Sequence, residues 1–351
     1  MGYKILGINI SHNGSVCILD DGEIVFFLEE ERVSRCKVDG FAFEVILKYI
    51  SKNYQIDEVA IAGLTHQWNP KLFKLYKLFL NSLFPNTKIH DFLKYHHLSH
   101  AASAFFNSTF KKCIGIVLDN NGSLIESSNG EGQIAETESI YILDYKNPPV
   151  CIYKSNKLLS KNDGLGFVTV YSTITRSLGF RENEEGKTMG LSSYGKPNPQ
   201  VPSLYLGSKS NPYVFDNTIG TLEGELKEKY HYLLKSEELK KDLAYKLQQE
   251  SQQIVGDLIE KGLKETGLKQ VCCSGGYFLN CVANYYLKKH FPDVKFYFEP
   301  ISNDAGTSIG VAKMIWYNKT QDKTIRPQKT LYYGPKYTKK QLLKGIQKYL
   351  D

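Results

Sequence analysis

A repeated order of predicted secondary structure restricts the fold of this chain more than any other feature of its sequence. Each half opens with three β-rich segments and continues with helices that alternate with short strands. In the first half, the predicted elements lie at residues 3–10, 15–19, 23–28, 42–53, 58–62, 70–84, 88–92 and 96–104. In the second half, they lie at 114–118, 137–144, 149–154, 164–178, 237 onwards, 270–273, 278–290, 294–298 and 304–316, and Ser236 is the predicted N-cap of the helix that follows it. Because strands that alternate with helices form sheets covered by helices, we predict a duplicated α/β unit.

Polar turns follow several of these strands. Asn13-Gly14 and Asp21-Gly22 indicate tight hairpin turns, and the tripeptide Asn13-Gly14-Ser15 recurs in the second half as Asn121-Gly122-Ser123. A duplicated unit places a ligand cleft between its halves, where such turns converge. We predict a first subdomain over residues 1–112, a second over 113–318 with a loop-rich insertion at about 198–235, and a tail over 319–351.

The composition is that of an ordinary globular protein. Hydrophobic residues make up 42% and charged residues 23% of the chain, and no apolar run approaches the ~18 residues that span a bilayer. The first residues do not resemble a signal peptide, so we predict a cytoplasmic protein without a membrane partner. The net charge of +7 comes without a nucleic-acid-binding motif, so no nucleic-acid partner is predicted. The seven cysteines are predicted to be reduced and buried.

Three of the eight histidines, His96, His97 and His100, lie within five residues. In a helix, His96 and His100 project from one face one turn apart, whereas His97 points about 100° away from His96. Two imidazole nitrogens at this spacing suit one divalent ion such as iron or zinc. A helix that faces a polar cavity or a subunit contact also carries such a pair, so the spacing leaves both interpretations open.

Two aspartates are candidates to complete a metal site with this pair. Asp119 directly follows an apolar strand, and Asp304 precedes the last predicted helix. Two histidines with carboxylates form a suitable ligand set for Fe²⁺ or Zn²⁺, and Mg²⁺ and Mn²⁺ are further candidates. Each aspartate is also suited to capping a turn or a helix.

The sequence also contains candidates for binding a phosphorylated ligand. Residues 274–276, Ser-Gly-Gly, lie between a strand and a helix, where glycines let backbone N–H groups approach an anion. Gly-Gly by itself is also a common turn. The spacing therefore makes this turn a candidate site for a phosphate group.

Five ordered motifs resemble the O-carbamoyltransferases of the NodU/CmcH type. They lie at residues 7–37, 96–104, 189–195, 275–284 and 303–310. The resemblance implies an actin/hexokinase-like (ASKHA) fold of two ribonuclease H-like subdomains, with a metal held by His96, His100, Asp119 and Asp304. It also implies that carbamoyl adenylate, made from ATP and carbamoyl phosphate, donates its carbamoyl group. The acceptor would be a hydroxyl of a small molecule such as a sugar, a nucleoside or an antibiotic.

Several residue roles follow from this resemblance. The metal is expected to contact the adenylate phosphate and to stabilise the leaving AMP. The nucleotide is expected to bind at the turn at 274–276 and at the turns after the first strand of each half, through Asn9, Ser11, Asn121, Gly122, Ser274, Gly275, Gly276 and Asn280. His12, in the first turn, is our candidate to orient or deprotonate the acceptor hydroxyl, and a structural histidine of the hairpin is the alternative. Arg32, Arg35 and Lys37 are expected to bind the anionic intermediate, or else to belong to a solvated charge run with the neighbouring glutamates.

The chain departs from the family pattern in two places. Residues 119–122 read Asp-Asn-Asn-Gly where the family usually has Asp-Gly-x-Gly. The chain also stops at Asp351, where family members continue into a YrdC-like domain that makes the adenylate. Three interpretations are open: the YrdC-like domain is a separate polypeptide and thus a partner, the chain is a fragment of a longer protein, or the protein does not carry out the full reaction. The alternatives are a threonylcarbamoyl-transferase-like or kinase-like enzyme of the same fold, or a non-catalytic nucleotide-binding module that acts with a partner.

Overall fold

The computed structural model of the protein describes residues 2–40, 44–64, 70–126, 133–158, 166–205 and 226–348. The first of its two sheets has five strands. Its strands are Lys4–Asn9 (β1), Ser15–Asp20 (β2), Glu23–Glu29 (β3), Glu58–Ala62 (β4) and Lys88–Asp91 (β5). Their order is β3-β2-β1-β4-β5, in which β1, β2 and β3 are antiparallel neighbours and β4 and β5 run parallel to β1. The helices Glu31–Ser34 (α1), Glu44–Asn53 (α2) and Pro70–Leu83 (α3) complete what we call the first lobe.

The turns that join the first three strands differ in length. Asp21 (φ 47°) and Gly22 (φ 82°) form the predicted two-residue turn between β2 and β3, because Asp and Gly tolerate the left-handed backbone that such a turn requires. The prediction of a tight turn at Asn13-Gly14 is wrong. These two residues end a longer loop, since Asn9 pairs with Ser15 and residues 10–14 lie between them. His12 lies in this loop.

The second sheet repeats the plan of the first. Its strands are Lys112–Leu118 (β6), Leu124–Glu126 (β7), Gln133–Asp144 (β8), Val150–Leu158 (β9), Gln270–Ser274 (β10) and Lys295–Phe298 (β11). Ile140 of β8 pairs with both Ile116 of β6 and Tyr153 of β9, so β6 and β9 lie on opposite edges of β8. β10 runs parallel to β6, and β11 runs parallel to β10. The order β9-β8-β6-β10-β11 matches that of the first sheet, which confirms the predicted duplication.

The remaining helices are His96–Asn107 (α4), Phe167–Ser177 (α5), Glu185–Ser192 (α6), Glu237–Thr266 (α7), Cys281–His290 (α8), Thr307–Thr320 (α9) and Lys339–Gln347 (α10). We call the second sheet with α5–α8 the second lobe. The N-cap predicted for α7 is present, since the hydroxyl of Ser236 accepts a hydrogen bond from the backbone N–H of Leu239. The elements α1, β7, α6 and α10 were not predicted from the sequence. These elements are short, and a few residues carry too little periodicity to predict a helix or a strand.

Two helices lie between the lobes and exchange partners. α4 follows the first sheet along the chain but packs on β6 and β10 of the second, whereas α9 follows the second sheet but packs on β1, β2 and β4 of the first. The two helices contact each other closely, because a Cβ atom on Gly310 would lie 2.0 Å from the carbonyl oxygen of Ser99. This crossing brings the first turns of both helices together. The subdomain boundary at residue 112 stays a prediction.

Three further segments bear on the sequence predictions. The described ends of the predicted insertion pack into the core of the second lobe through Val201, Leu204 and Leu233, and residues 206–225 lie outside the described residues. In the tail, the carbonyl oxygen of Tyr333 accepts a hydrogen bond from Phe27 N–H of β3. Within the described residues, no helix combines the length and apolarity needed to cross a bilayer. The prediction that all cysteines are buried is wrong for three of the seven free cysteines, Cys36, Cys151 and Cys281.

Candidate functional site

Four buried side chains converge where the two crossing helices begin. His96 and His100 lie on the first turns of α4, and Asp119 follows the end of β6. Asp304 begins the 3-10 turn that leads into α9. One ligand atom from each of the four residues lies within 4.8 Å of the other three. The structure therefore brings together the four residues that were predicted to bind a metal.

The spacing of these atoms fits one metal ion. His96 Nε2 lies 3.2 Å from His100 Nε2, 3.1 Å from Asp119 Oδ2 and 3.5 Å from Asp304 Oδ1. Ligands that are ~2.1 Å from a metal are separated by ~3.0 Å in octahedral and ~3.4 Å in tetrahedral coordination. A single imidazole N–H cannot serve three acceptors at once, whereas one cation contacts all four groups. The donor set therefore suits a divalent first-row metal.

The electrostatics of the cluster also favour a cation. Burial alone would lower the pKa of His96, but the carboxylates of Asp304 and Asp119 raise it to about 10. Burial alone would raise the pKa of Asp304, but His12, His96 and His100 hold it well below its usual value. Burial and the charge of Asp304 would raise the pKa of Asp119, but His96 and His100 lower it. Two ionised carboxylates in a buried site require positive charge between them.

Further hydrogen-bonding groups orient three of the four side chains. Ser274 Oγ lies 3.2 Å from His100 Nδ1, Ser11 Oγ donates to Asp304 Oδ2 at 3.0 Å, and the N–H of Gly276 donates to Asp119 Oδ1 at 3.2 Å. Such contacts fix the tautomer and the rotamer of metal ligands. Among the described residues, Nδ1 of His96 has no hydrogen-bond partner.

His97 takes no part in this cluster, as predicted from the helix geometry. Its Nδ1 lies 2.8 Å from Ser139 Oγ of β8, and its ring is fully buried. Burial lowers the pKa of His97 to about 4, which keeps this imidazole neutral. His97 is therefore a core residue of the second lobe.

A cavity of about 800 Å³ opens between the lobes above the cluster. Asp119 and Asp304 form part of its floor, and His12 lies at its wall. The side chain of His12 is 41% exposed, and its Nε2 lies 3.4 Å from Asp304 Oδ2. Asp304 therefore faces the two buried histidines with one oxygen and His12 with the other. A cavity of this size matches the usual range for small-molecule sites.

The residues predicted to bind a nucleotide fall into two groups. Asn121, Gly276 and Asn280 line the cavity. The others are buried beside it, and each has a structural contact. Asn9 and Ser11 brace the loop that carries His12, Ser274 contacts His100, and Gly122 packs against His97 and Glu136.

The Gly-Gly turn contributes shape rather than free amides. Gly275 N–H donates to the carbonyl oxygen of Ser302, and Gly276 N–H donates to Asp119. The Asn280 side chain caps α8 through the N–H of Ala283 and pairs with Gln248 of α7. The absence of a side chain at Gly276 keeps the cavity floor open between these fixed groups.

The predicted anion-binding residues are only partly at the cavity. Arg32 and Lys37 line it, and both contact Glu31, at 3.4 Å and 3.0 Å. Arg35 is exposed at the C-terminus of α1 and does not line the cavity. Arg32 and Lys37 therefore reach the cavity while they pair with Glu31, whereas Arg35 belongs to the solvated surface.

The sequence analysis missed one wall of the cavity. Tyr171, Ser172 and Arg176 of α5 and Glu185 of α6 line it, and Ser172 Oγ donates to Glu185 at 2.7 Å. Ser172 and Arg176 are four residues apart and share a helix face. The spacing was readable in the predicted helix at 164–178, but no local signal indicated which face meets the cleft.

Comparisons with known proteins agree with the family resemblance. A family model described as carbamoyltransferase N-terminus matches residues 48–313. The uncharacterized protein sll1178 of Synechocystis is 26% identical over 71% of this chain and 42% of its own length. The nodulation protein NolNO of Sinorhizobium fredii is 25% identical over 92% of this chain and 49% of its own length. The chain thus spans less than half the length of these relatives.

A solved structure with the same fold is that of full-length HypF in its phosphate- and nucleotide-bound form. It superposes with a TM-score of 0.55 at 18% identity over 90% of this chain and 55% of HypF. At this identity the likeness shows the fold alone, and it agrees with the matching strand orders of the two sheets. The expected duplicated actin/hexokinase-like fold is confirmed. Because the family model covers most of the chain, this protein belongs to the carbamoyltransferase N-terminus family.

Proposed function

We propose that this chain forms the transfer site of a metal-dependent O-carbamoyltransferase. A hydroxyl of a small-molecule acceptor would attack the carbamoyl carbon of carbamoyl adenylate, which is made from ATP and carbamoyl phosphate. The observation that carries the proposal is the buried cluster of two histidines and two aspartates at the floor of the cleft, in a chain of this family.

The metal is proposed to bind His96, His100, Asp119 and Asp304. A divalent ion there would supply positive charge beside the adenylate phosphate and stabilise the charge that develops on the leaving AMP. Fe²⁺ and Zn²⁺ fit two imidazoles and two carboxylates best, with Mg²⁺ and Mn²⁺ as weaker candidates.

His12 is proposed to accept the proton of the acceptor hydroxyl. A neutral His12 that donates from Nε2 to Asp304 presents Nδ1 as an acceptor towards the cavity. As the hydroxyl oxygen bonds to the carbamoyl carbon, the bond from that carbon to the phosphate oxygen breaks. AMP leaves with the electron pair, and the hydroxyl proton passes to His12.

The nucleotide is proposed to lie along the second lobe, over Gly276 and between Asn121 and Asn280. The open floor at Gly276 and the cation of Arg176 at the same wall support this placement. HypF, which shares the fold, has been solved in a phosphate- and nucleotide-bound form, which supports nucleotide binding in general but not this placement. Arg32 and Lys37 are proposed to reach the anionic intermediate from the first lobe. Arg35 has no role in this proposal.

The partners are proposed from the same family membership. Adenylate formation is proposed to take place on a YrdC-like domain, as the family resemblance implies. The acceptor is proposed to be a hydroxyl compound such as a sugar, a nucleoside or an antibiotic.

Metal analysis tests the site directly. Protein purified without chelator is expected to hold close to one equivalent of iron or zinc by elemental mass spectrometry. H96A and D304N should lose it, and H97Q is the matched control because His97 is buried beside the cluster without belonging to it. Less than about a tenth of an equivalent in the wild type would remove the metal from the proposal, because such sites bind tightly.

Transfer is tested by supplying the adenylate. The chain is mixed with a separately expressed YrdC-like domain, ATP, carbamoyl phosphate and a panel of sugars and nucleosides, and the products are read by mass spectrometry. We expect a carbamoylated hydroxyl compound, which H12A abolishes and R35A preserves. Equal rates with H12A would contradict the role of His12, and modification of added tRNA instead would favour the threonylcarbamoyl alternative.

A further inference from the structure

A second cavity of about 610 Å³ lies between the lobes, and we call it the rear cavity. Lys88 of β5, the turn at residues 143–149 and the faces of α4 and α9 form its walls. Leu143 at the end of β8 pairs with Cys113 at the start of β6, whereas Asp119 follows the end of β6. The rear cavity is therefore at the opposite end of the strands from the metal cluster.

Aromatic rings form the inner wall of the rear cavity. Phe105 and Tyr145 have ring centroids 4.9 Å apart, and Phe106 stacks on Tyr317 at 4.4 Å with an interplanar angle of 16°. Such mutually packed rings are held in place and present flat apolar surfaces. A cavity of this size and lining suits a ring-bearing ligand of small-molecule size.

The two acidic side chains at the rim of the rear cavity already have hydrogen-bond or ion-pair partners within the protein. Glu58 contacts Tyr3, His90 and Lys319. Asp144 accepts hydrogen bonds from the backbone of its own turn, from Lys146 N and Asn147 N at 2.6 Å each. Glu58 is therefore neutralised by Lys319, whereas Asp144 keeps its charge, which is held by the N–H groups of its own turn and by the nearby Lys112.

Two lysines at the rim of the rear cavity have no acidic partner among the described residues. Lys88 and Lys146 are exposed, and within the described residues neither forms an ion pair. Lys88 belongs to the first lobe, and Lys146 belongs to the second. An anionic group at the mouth would gain from both charges, while an aromatic body occupies the apolar interior.

We propose that the rear cavity is a binding site for an aromatic organic anion, such as an aryl carboxylate, sulfonate or phosphate. The ring packs against the inner wall formed by Phe105 and Phe106 of α4 and Tyr317 of α9. The anionic group lies between Lys88 and Lys146. The ligand contacts both lobes and the helices between them, at a site that carbamoyl transfer does not use.

The probe is 8-anilinonaphthalene-1-sulfonate, which combines fused rings with a sulfonate and fluoresces in apolar sites. We expect one molecule to bind per chain. The neutral analogue N-phenyl-1-naphthylamine should bind at least about tenfold more weakly, because it lacks the anionic group. Equal affinity for both compounds would overturn the requirement for an anion.

Variants locate the binding site. Asn318 is exposed on α9 at the rim, so N318W fills the mouth without altering the core and should abolish binding. K88E should weaken binding at least about fivefold. K288E, on the exposed face of α8, is the matched charge control and should leave binding unchanged. Thermal unfolding of each variant verifies that it is folded.

A competing site for the probe is the exposed apolar face of α3, at Leu72, Leu75 and Leu78. L75Q should leave binding unchanged if the rear cavity is the site. Binding that survives N318W, or that L75Q removes, would overturn the proposal.

Discussion

Gly275→Ala is expected to damage both the fold and the proposed metal site. Gly275 adopts φ 101° and ψ 156°, a conformation that is essentially restricted to glycine. A Cβ atom there would lie 2.2 Å from the carbonyl oxygen of Leu118 and 2.7 Å from its carbonyl carbon. Both atoms are backbone at the end of β6, so no side chain can rotate away. The turn after β10 must therefore move away from the turn after β6.

The loss of folding stability in G275A has two contributions. The strained backbone costs about 1–3 kcal/mol, and the steric overlap in a packed region costs another ~1–3 kcal/mol. We therefore expect G275A to lower the free energy of unfolding by about 2–6 kcal/mol. The shift also separates the N–H of Gly276 from Asp119, so zinc affinity should fall about tenfold or more.

Gly267→Ala is the matched control for the backbone part. Gly267 also has a positive φ, of 67°, but nothing lies within 4 Å of a Cβ placed there. Its substitution should cost only about 1–2 kcal/mol and leave zinc binding intact. Urea unfolding gives the stabilities, and competition with a chromophoric chelator gives the zinc affinities. If G275A costs no more than G267A and binds zinc normally, the steric reasoning is wrong.

Three further predictions concern other buried groups. Burial lowers the pKa of Lys313 from 10.5 to about 8, with partial compensation from Cys17 and Glu299. The unfolded chain then holds this proton more tightly than the folded one, so wild-type stability relative to K313M should rise by about 1 kcal/mol from pH 7 to pH 9 in urea titrations; a pH-independent difference would contradict this. S274A should weaken zinc binding about tenfold without unfolding the protein, because Ser274 orients His100; unchanged affinity in the chelator assay would show that this contact is dispensable. A thiol reagent should modify three cysteines of the native protein and seven after denaturation, and early reaction of more than three would contradict the burial of Cys17, Cys113, Cys272 and Cys273.

Most of the fold could be predicted because its signals are local. Strands such as β1, β4 and β6 are continuous apolar runs, and α7 begins at Ser236, whose hydroxyl caps the next turn. The duplication followed from the order of such elements. The two errors in the turns and cysteines have a common cause. Loop length after β1 and exposure of Cys36, Cys151 and Cys281 depend on which strands pair and which faces meet.

In the candidate site, too, local spacing predicts some features and only tertiary packing determines the others. His96 and His100 share a helix face by spacing alone, and the same geometry sets His97 apart. The sequence could nominate Asp119 and Asp304 only as polar residues next to apolar segments. Their approach to the histidines requires α4 and α9 to cross between the lobes.

The sequence by itself thus determined the elements, their duplication and the histidine pair, since each depends on residues a few positions apart. Only the tertiary structure decided which of the predicted side chains reach the cleft. In the structure, the N–H groups of Gly275 and Gly276 donate to Ser302 and Asp119. Arg35 does not line the cavity, whereas Arg176 does. The physical reason is that these placements depend on packing between segments far apart in the chain. The periodicity of the sequence within one helix or strand does not predict that packing.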